Sequence, residues 1–317
     1  MNSDTVWLSL YGEATTAFCL GCPDSPCTRF THEELAPTLK LPMSQNPDVS
    51  VCPSSAISQE AGNAPQLDSE RCTSCGICIA RCPVGALHLG NSGVEVSEYG
   101  CDPVPYEETE FLGRRALLSE SLRFADQPDE VSLIQRLTEV EKCLATTPES
   151  DSVLRMLVRN LLIVVGLPTQ LSRTGDNNAV AECVVEVGDS TMLLQVEHGS
   201  DLLDSLRRSI STVAVAHSRY GLPMSELIAG VVVVRLPHKR VDYYEVITDV
   251  EKRLGLKIRT LPLAILLAAV GNPTLDFVEL VINGMIVSSQ VNTLSEDLGK
   301  LIGPTQDPEQ LGVVPAK

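Results

Sequence analysis

Cys72-Thr73-Ser74-Cys75-Gly76-Ile77-Cys78-Ile79-Ala80-Arg81-Cys82-Pro83 is the stretch that decides how the first part of this chain folds. Its pattern is C-x2-C-x2-C-x3-C-P. The two short gaps let three thiolates wrap one cubane metal centre corner by corner, while the longer step and the proline turn the fourth sulfur towards a different centre. Gly76 leaves room for backbone amides to approach inorganic sulfide, and such hydrogen bonds tune a bound cluster.

If Cys82 leaves its neighbours, a second three-cysteine set and a second Cys-Pro should exist, and the sequence has both. Cys19, Cys22 and Cys27 form the set, and Cys52-Pro53-Ser54-Ser55-Ala56-Ile57 parallels Cys82-Pro83-Val84-Gly85-Ala86-Leu87. Nine of the eleven cysteines lie before residue 102. In a long chain such tight spacings point to metal more than to a disulfide framework. The spacing of Cys19, Cys22, Cys27 and Cys52 also suits a four-thiolate zinc site. Cys101 reads as a buried thiol or a replacement ligand, and Cys143 and Cys183 as core residues.

On these residues the chain resembles the bacterial-type two-[4Fe-4S] ferredoxin family over about residues 5–100. The resemblance implies two [4Fe-4S] clusters with crossed ligation: Cys19, Cys22, Cys27 and Cys82 on one, and Cys72, Cys75, Cys78 and Cys52 on the other. Two features depart from the family. Four residues, including Pro23 and Pro26, separate Cys22 from Cys27, and 24 separate Cys27 from Cys52.

The 317 residues allow more than one core, and the text of the sequence divides. Residues 1–102 read as the loop-rich two-[4Fe-4S] unit, led by a strand at Val6–Tyr11, in which metal supplies much of the folding energy. Residues 103–150 read as a helical connector, 151–285 as an α/β domain, and 286–317 as a loose C-terminal extension. The net charge is −17, and residues 1–105 carry 4 Lys+Arg against 12 Asp+Glu, whereas residues 151–260 carry 13 of each. That balance argues against attraction of the whole surface to nucleic acid. The first residues lack the basic stretch and apolar core of a signal peptide, and Leu227–Val234 and Leu261–Val270 are about half the roughly 20 residues a bilayer needs. A cytoplasmic protein without membrane contact is expected.

In the α/β part, Val153–Val165 predicts a helix, Ala181–Val187 and Thr191–Glu197 a hairpin around Gly188-Asp189, and Leu202–Tyr220 a helix burying Leu203, Leu206, Ile210, Val213 and His217. Ile228–Leu236 predicts a central strand covered on both faces, Tyr243–Leu254 a helix, and Ile258–Val270 a final strand or short helix. This order, with Gly166-Leu167-Pro168, Arg173-Thr174-Gly175-Asp176 and Leu194-Gln195-Val196-Glu197, resembles the restriction-endonuclease-like PD-(D/E)xK fold over about residues 151–270. The fold class expected is therefore α+β, a ferredoxin-like two-[4Fe-4S] domain followed by a three-layer α/β restriction-endonuclease-like domain.

In active relatives of that fold, carboxylates hold Mg²⁺ and a lysine stabilises charge on the attacked phosphate. Here the candidate acids are Asp176, Glu182, Glu186 and Glu197, but Gln195-Val196-Glu197 puts glutamate where lysine belongs. An inactive docking domain is the reading preferred. His198 reads as a surface histidine, and His238, Lys239, Arg240, Lys252, Arg253, Lys257 and Arg259 as a solvated basic face that nucleic acid could use. The function expected is electron transfer or redox sensing within a larger assembly, as a carrier or accessory subunit docked to a protein or redox partner. The alternatives are a metal-dependent nuclease of a restriction or antiviral defence system with structural clusters, and an electron-input subunit of an oxidoreductase.

Overall fold

The computed structural model describes residues 19, 22, 24–35, 45–60, 63–82, 86–90, 93–96, 129–173, 181–198, 202–238, 242–270, 298–299 and 302–315. The expected strand at Val6–Tyr11, Cys101, Asp176, Lys239, Arg240 and the connector before residue 129 lie outside them.

The cysteine-rich part is short turns and short pieces: α1 (His32–Leu35), β1 (Ile57–Ser58), β2 (Gln66–Leu67), α2 (Ile77–Arg81), β3 (Leu87–Gly90) and β4 (Gly93–Val96). β1 pairs antiparallel with β2, and β3 with β4. Each Cys-Pro turn therefore delivers the chain into a two-stranded ribbon.

Two helices follow, α3 (Glu130–Thr146) and α4 (Ser150–Val164). Asp129 caps α3, its carboxylate accepting the Ser132 amide at 2.7 Å, which satisfies one of the free donors of the first turn. Leu133, Leu137, Val140 and Leu144 recur at helical spacing and are buried.

The sheet is built from β5 (Thr169–Leu171), β6 (Cys183–Val187), β7 (Ser190–Glu197), β8 (Leu227–Val233) and β9 (Lys257–Pro262), in that spatial order. β5, β6 and β7 form an antiparallel meander, and β7, β8 and β9 run parallel. Parallel neighbours need crossovers, supplied by α5 (Leu202–Tyr220) and α6 (Tyr243–Leu254); α7 (Leu263–Val270) follows β9. α5 packs on α6 as well as on β7 and β8, while α3, α4 and α7 pack on one another, and α4 also on β5 and β7. All seven residues of β8 are buried, as a strand covered on both faces requires.

Several expectations are corrected. Thr169–Leu171 is a strand that sequence reading left out, because three residues after a proline are too few to show alternation. The inner face of α5 is Leu202, Ser205, Leu206, Ser209, Thr212, Val213 and Ala216; Leu203 and Ile210 are half-buried and His217 is exposed. Small hydroxyl residues let the helix sit close to the sheet, where the Ser209 hydroxyl is 3.1 Å from both the Leu193 and Gly230 carbonyls. Ile258–Val270 is both a strand and a helix, since the chain turns at Pro262.

The tail also departs from the loose extension expected. Leu311 and Val313 are fully buried, the Leu236 amide donates to the Gly312 carbonyl at 2.9 Å, and the Glu130 carboxylate accepts the Gln306 and Asp307 amides. Two buried apolar residues hidden among prolines and glycines, together with these hydrogen bonds, tie it to the body. Arg259, placed by sequence on a basic face, is buried in β9 with Glu251 at 3.6 Å. Lys252 and Arg253 are exposed, and Arg253 faces Asp249 at 3.8 Å. Among the described residues no helix is long and apolar enough to cross a membrane.

Candidate metal centre

Cys52 and Cys82 accept the same local hydrogen bond. The Ala56 amide donates to Cys52 Sγ at 3.1 Å, and the Ala86 amide to Cys82 Sγ at 3.2 Å. The shared i, i+4 geometry follows from the shared Cys-Pro-x-x-Ala spacing. Beside them, the Ser74 amide points at Cys72 Sγ at 3.4 Å.

Backbone strain is concentrated in the same turns. Among the described residues, the non-glycine residues with positive φ are Ser25 at 46°, Ser55 at 54° and Ser74 at 52°, each inside a cysteine turn. Such conformations cost energy and persist where the surroundings fix them. Reversing the backbone locally turns amides inward, which forms a concavity for anionic sulfur. Gly76, at φ 79°, opens α2 in the same way.

The thiols fall into two neighbourhoods. Burial pushes Cys27 up to about 12, and the thiols of Cys82, Cys22 and Cys19 add repulsion in that order. Cys75 is also pushed up to about 12, chiefly by burial and then by Cys52, with Cys72 adding to it. Cys78 is raised by burial and by Cys75, Cys52, Cys72 and, last, Cys27. Cys82 thus stands with the early cysteines and Cys52 with the late ones, and the two groups adjoin through Cys27 and Cys78. None of these thiols is in a disulfide, and Cys22, Cys27, Cys75, Cys78 and Cys82 are buried.

Buried thiols that repel one another are poor acids, so they ionise when a polynuclear cation takes their charge. Donor chemistry and inward amides fit an iron–sulfur cluster. Among the described residues no three His, Cys, Asp or Glu side chains converge as a single ion would require.

Arg81, between Cys78 and Cys82, ties the two loops together. It donates to the Pro26 carbonyl at 2.7 Å, the Arg29 carbonyl at 3.2 Å and both Glu34 carboxylate oxygens at 2.7 and 3.1 Å, and lies 4.3 Å over the Phe30 ring. From α4, fully buried Arg159 donates to the carbonyls of Asp48 at 2.8 Å and Ser50 at 3.4 Å. Its neighbour Asn160 donates to Ser50 at 3.1 Å and Val51 at 2.8 Å. These bonds fix the backbone that leads into Cys52. Sequence reading missed all three residues, since long polar side chains on a helix look like solvent-facing ones.

The acidic candidates of the α/β part are also brought together, but against arginine. Arg155 is 3.3 Å from Glu182, and Arg208 is 3.8 Å from Glu182 and 3.6 Å from Glu197. Glu182 accepts the Val196 amide at 2.7 Å, and Glu197 accepts the Ser205 hydroxyl. Gln195 is buried, His198 is exposed, and Glu186 is half-buried beside the hairpin turn.

Residues 65–88 match the 4Fe-4S binding domain family. That span holds Cys72, Cys75, Cys78 and Cys82. This part of the chain is a ferredoxin-type [4Fe-4S] binding segment. The chain is also 31% identical over 74 residues to an uncharacterized ferredoxin of Methanocaldococcus jannaschii, over 23% of this chain and 34% of that protein. The match spans about a third of the relative's length. No solved structure matches the chain.

Proposed function

We propose that the chain is a two-[4Fe-4S] electron-transfer protein, with Cys19, Cys22, Cys27 and Cys82 on one cluster and Cys52, Cys72, Cys75 and Cys78 on the other. The observation that carries this reading is the grouping of the thiols, in which Cys27 feels Cys82 and Cys78 feels Cys52. The matched amide-to-sulfur bonds at Cys52 and Cys82 support two equivalent turns. When bound, each cluster supplies a one-electron redox centre. The protein's residues shield these centres from water, aim amides at the sulfurs and hold the two loops against each other.

The α/β part is read here as a docking body of the PD-(D/E)xK type without nuclease activity, on the strength of its helix, meander, crossover and parallel-strand order. Arg155, Arg208 and Ser205 occupy the Glu182 and Glu197 carboxylates that a metal would need. A partner with a basic docking face, in the reducing cytoplasm, fits the acidic balance of residues 1–105.

The test is an anaerobic preparation assayed for iron and sulfide and examined by EPR after dithionite reduction. About eight irons per chain and coupled signals are expected. Cys52→Ala should perturb the same signal as Cys72→Ala, and Cys82→Ala the same signal as Cys19→Ala. Zinc in place of iron, or Cys82→Ala acting on the Cys72 signal, overturns the assignment. Incubation with DNA or RNA and Mg²⁺ or Mn²⁺ should give no cleavage; cleavage lost in Glu197→Ala would restore the nuclease reading.

A further inference from the structure

Two hydroxyls lie within the second cysteine group, and both are buried: Ser54 is 7% and Thr73 2% exposed. A hydroxyl taken out of water needs a partner, and here the partners are sulfur. Ser54 Oγ is 3.6 Å from Cys52 Sγ, a separation that reflects the size of sulfur. Burial and then Cys52 raise the Cys75 thiol, and against them stand hydrogen bonds from the Thr73 hydroxyl and the Ile77 amide. A cysteine sulfur bound to iron has given up its proton, so in each pair the hydroxyl donates and the sulfur accepts.

Neither hydroxyl is demanded by the local cysteine pattern. The amide bond to Cys82 forms with Val84 in the place of Ser54, and the step from Cys19 to Cys22 carries Leu20 and Gly21 where the step from Cys72 to Cys75 carries Thr73 and Ser74. In the early loop the Ser25 and Thr28 hydroxyls serve carbonyls instead, those of Cys22 at 3.4 Å and Ser25 at 3.1 Å. We infer that Ser54 and Thr73 are potential-setting residues: their hydroxyls donate to Cys52 and Cys75 and favour the reduced state of the cluster that Cys52, Cys72, Cys75 and Cys78 hold. Reduction adds negative charge that spreads onto the sulfurs and strengthens each bond they accept, which is how hydrogen bonding sets a cluster's potential. The inference takes its ligand set from the two-cluster reading. The electron comes from an external one-electron donor, which is oxidised by that same electron; no bond to the protein forms or breaks.

The full chain is titrated potentiometrically against dithionite, with EPR following each centre. Thr73→Val keeps the shape of the side chain and removes its hydroxyl; Thr73→Ser keeps the hydroxyl and removes a methyl group. Thr73→Val and Ser54→Ala should each weaken reduction of the Cys52–Cys78 centre about threefold, and the double variant about tenfold, 59 mV for one electron. Thr73→Ser should keep the parent potential, and the other centre should keep its own in every variant. A merely structural role predicts the reverse order at Thr73, because the serine leaves a cavity and the valine does not. A shift in Thr73→Ser as large as that in Thr73→Val, an equal shift of both centres, or a shift below about threefold in the double variant overturns the inference. Iron is counted first in the parent: about four irons per chain fails the two-cluster reading, and the same variants then decide the inference on the single centre. Should one single variant lose the cluster, the other decides; loss from both marks the hydroxyls as structural and overturns the inference.

Discussion

The two cysteine loops share a turn but not a foundation. Cys52 and Cys82 begin the same Cys-Pro-x-x-Ala turn and accept the same amide bond. The late loop, however, is backed by α3, and the Cys52 turn beside it is clamped by Arg159 and Asn160 of α4. The early loop is fastened to the late one through Arg81, and to the segment before Cys52 through the Phe30 amide on the Val49 carbonyl and the Val51 amide on the Thr28 carbonyl. A repeated motif thus has a hierarchy of support: the body holds the late loop, and the late loop holds the early one.

The strongest way to break that hierarchy is at its root. Arg159→Met removes charge-assisted bonds to the half-buried Asp48 and Ser50 carbonyls, of which Ser50 keeps its Asn160 donor, at a cost of about 2 kcal/mol. Anaerobic guanidinium unfolding, followed by cluster absorbance and far-UV circular dichroism, should show both centres released together at lower denaturant. Release of the early centre alone would place the support elsewhere.

Arg81→Met cuts one level higher and should cost less, about 1–2 kcal/mol, because Glu34 is partly exposed and the methionine stem still covers Phe30. The early centre should be lost first, with the α/β signal unchanged. Burial of Glu34 favours its neutral form, but hydrogen bonds from Arg81 and Thr31 outweigh this and lower its pKa. Its contribution is present above the ordinary value of 4.5 and falls away as pH drops through the lowered one. The parent should therefore lose more stability on acidification than Arg81→Met does.

What the sequence made legible was chemistry set by short spacing. The cysteine runs, the duplicated Cys-Pro turns and the helices Leu202–Tyr220 and Tyr243–Leu254 all depend on neighbours a few residues apart, and both helices coincide with their expected bounds. What stayed hidden depends on distant chain segments. Arg159 reaches 111 residues back to Asp48, and Arg136 meets a glycine 60 positions earlier, so periodicity marks both as surface residues. The packed tail was hidden for the same reason, its anchors being Glu130 and Leu236. The carboxylates Glu182 and Glu197 were found, but the arginines that occupy them were not.

Cys183, outside both loops, supplies the smallest and cleanest control. It is fully buried in β6, and burial, reinforced by Glu182 and opposed by Arg159 and Arg155, pushes it up to about 12 from 9.0. A raised acid pKa means that stability is complete below pH 9 and is lost as the unfolded thiol ionises while the folded one cannot. Tyr243 and Tyr244 are raised as well, but from 10.0, so their losses begin higher. Between pH 9 and 10 the parent should lose about 1 kcal/mol relative to Cys183→Ala, a difference in which the loop thiols common to both proteins cancel. The cavity left by the alanine lowers stability equally at every pH, so it shifts the curve without tilting it. Parallel curves would mean that Cys183 meets water in the native state, and that the sheet beneath the clamped loop is less closed than its burial indicates.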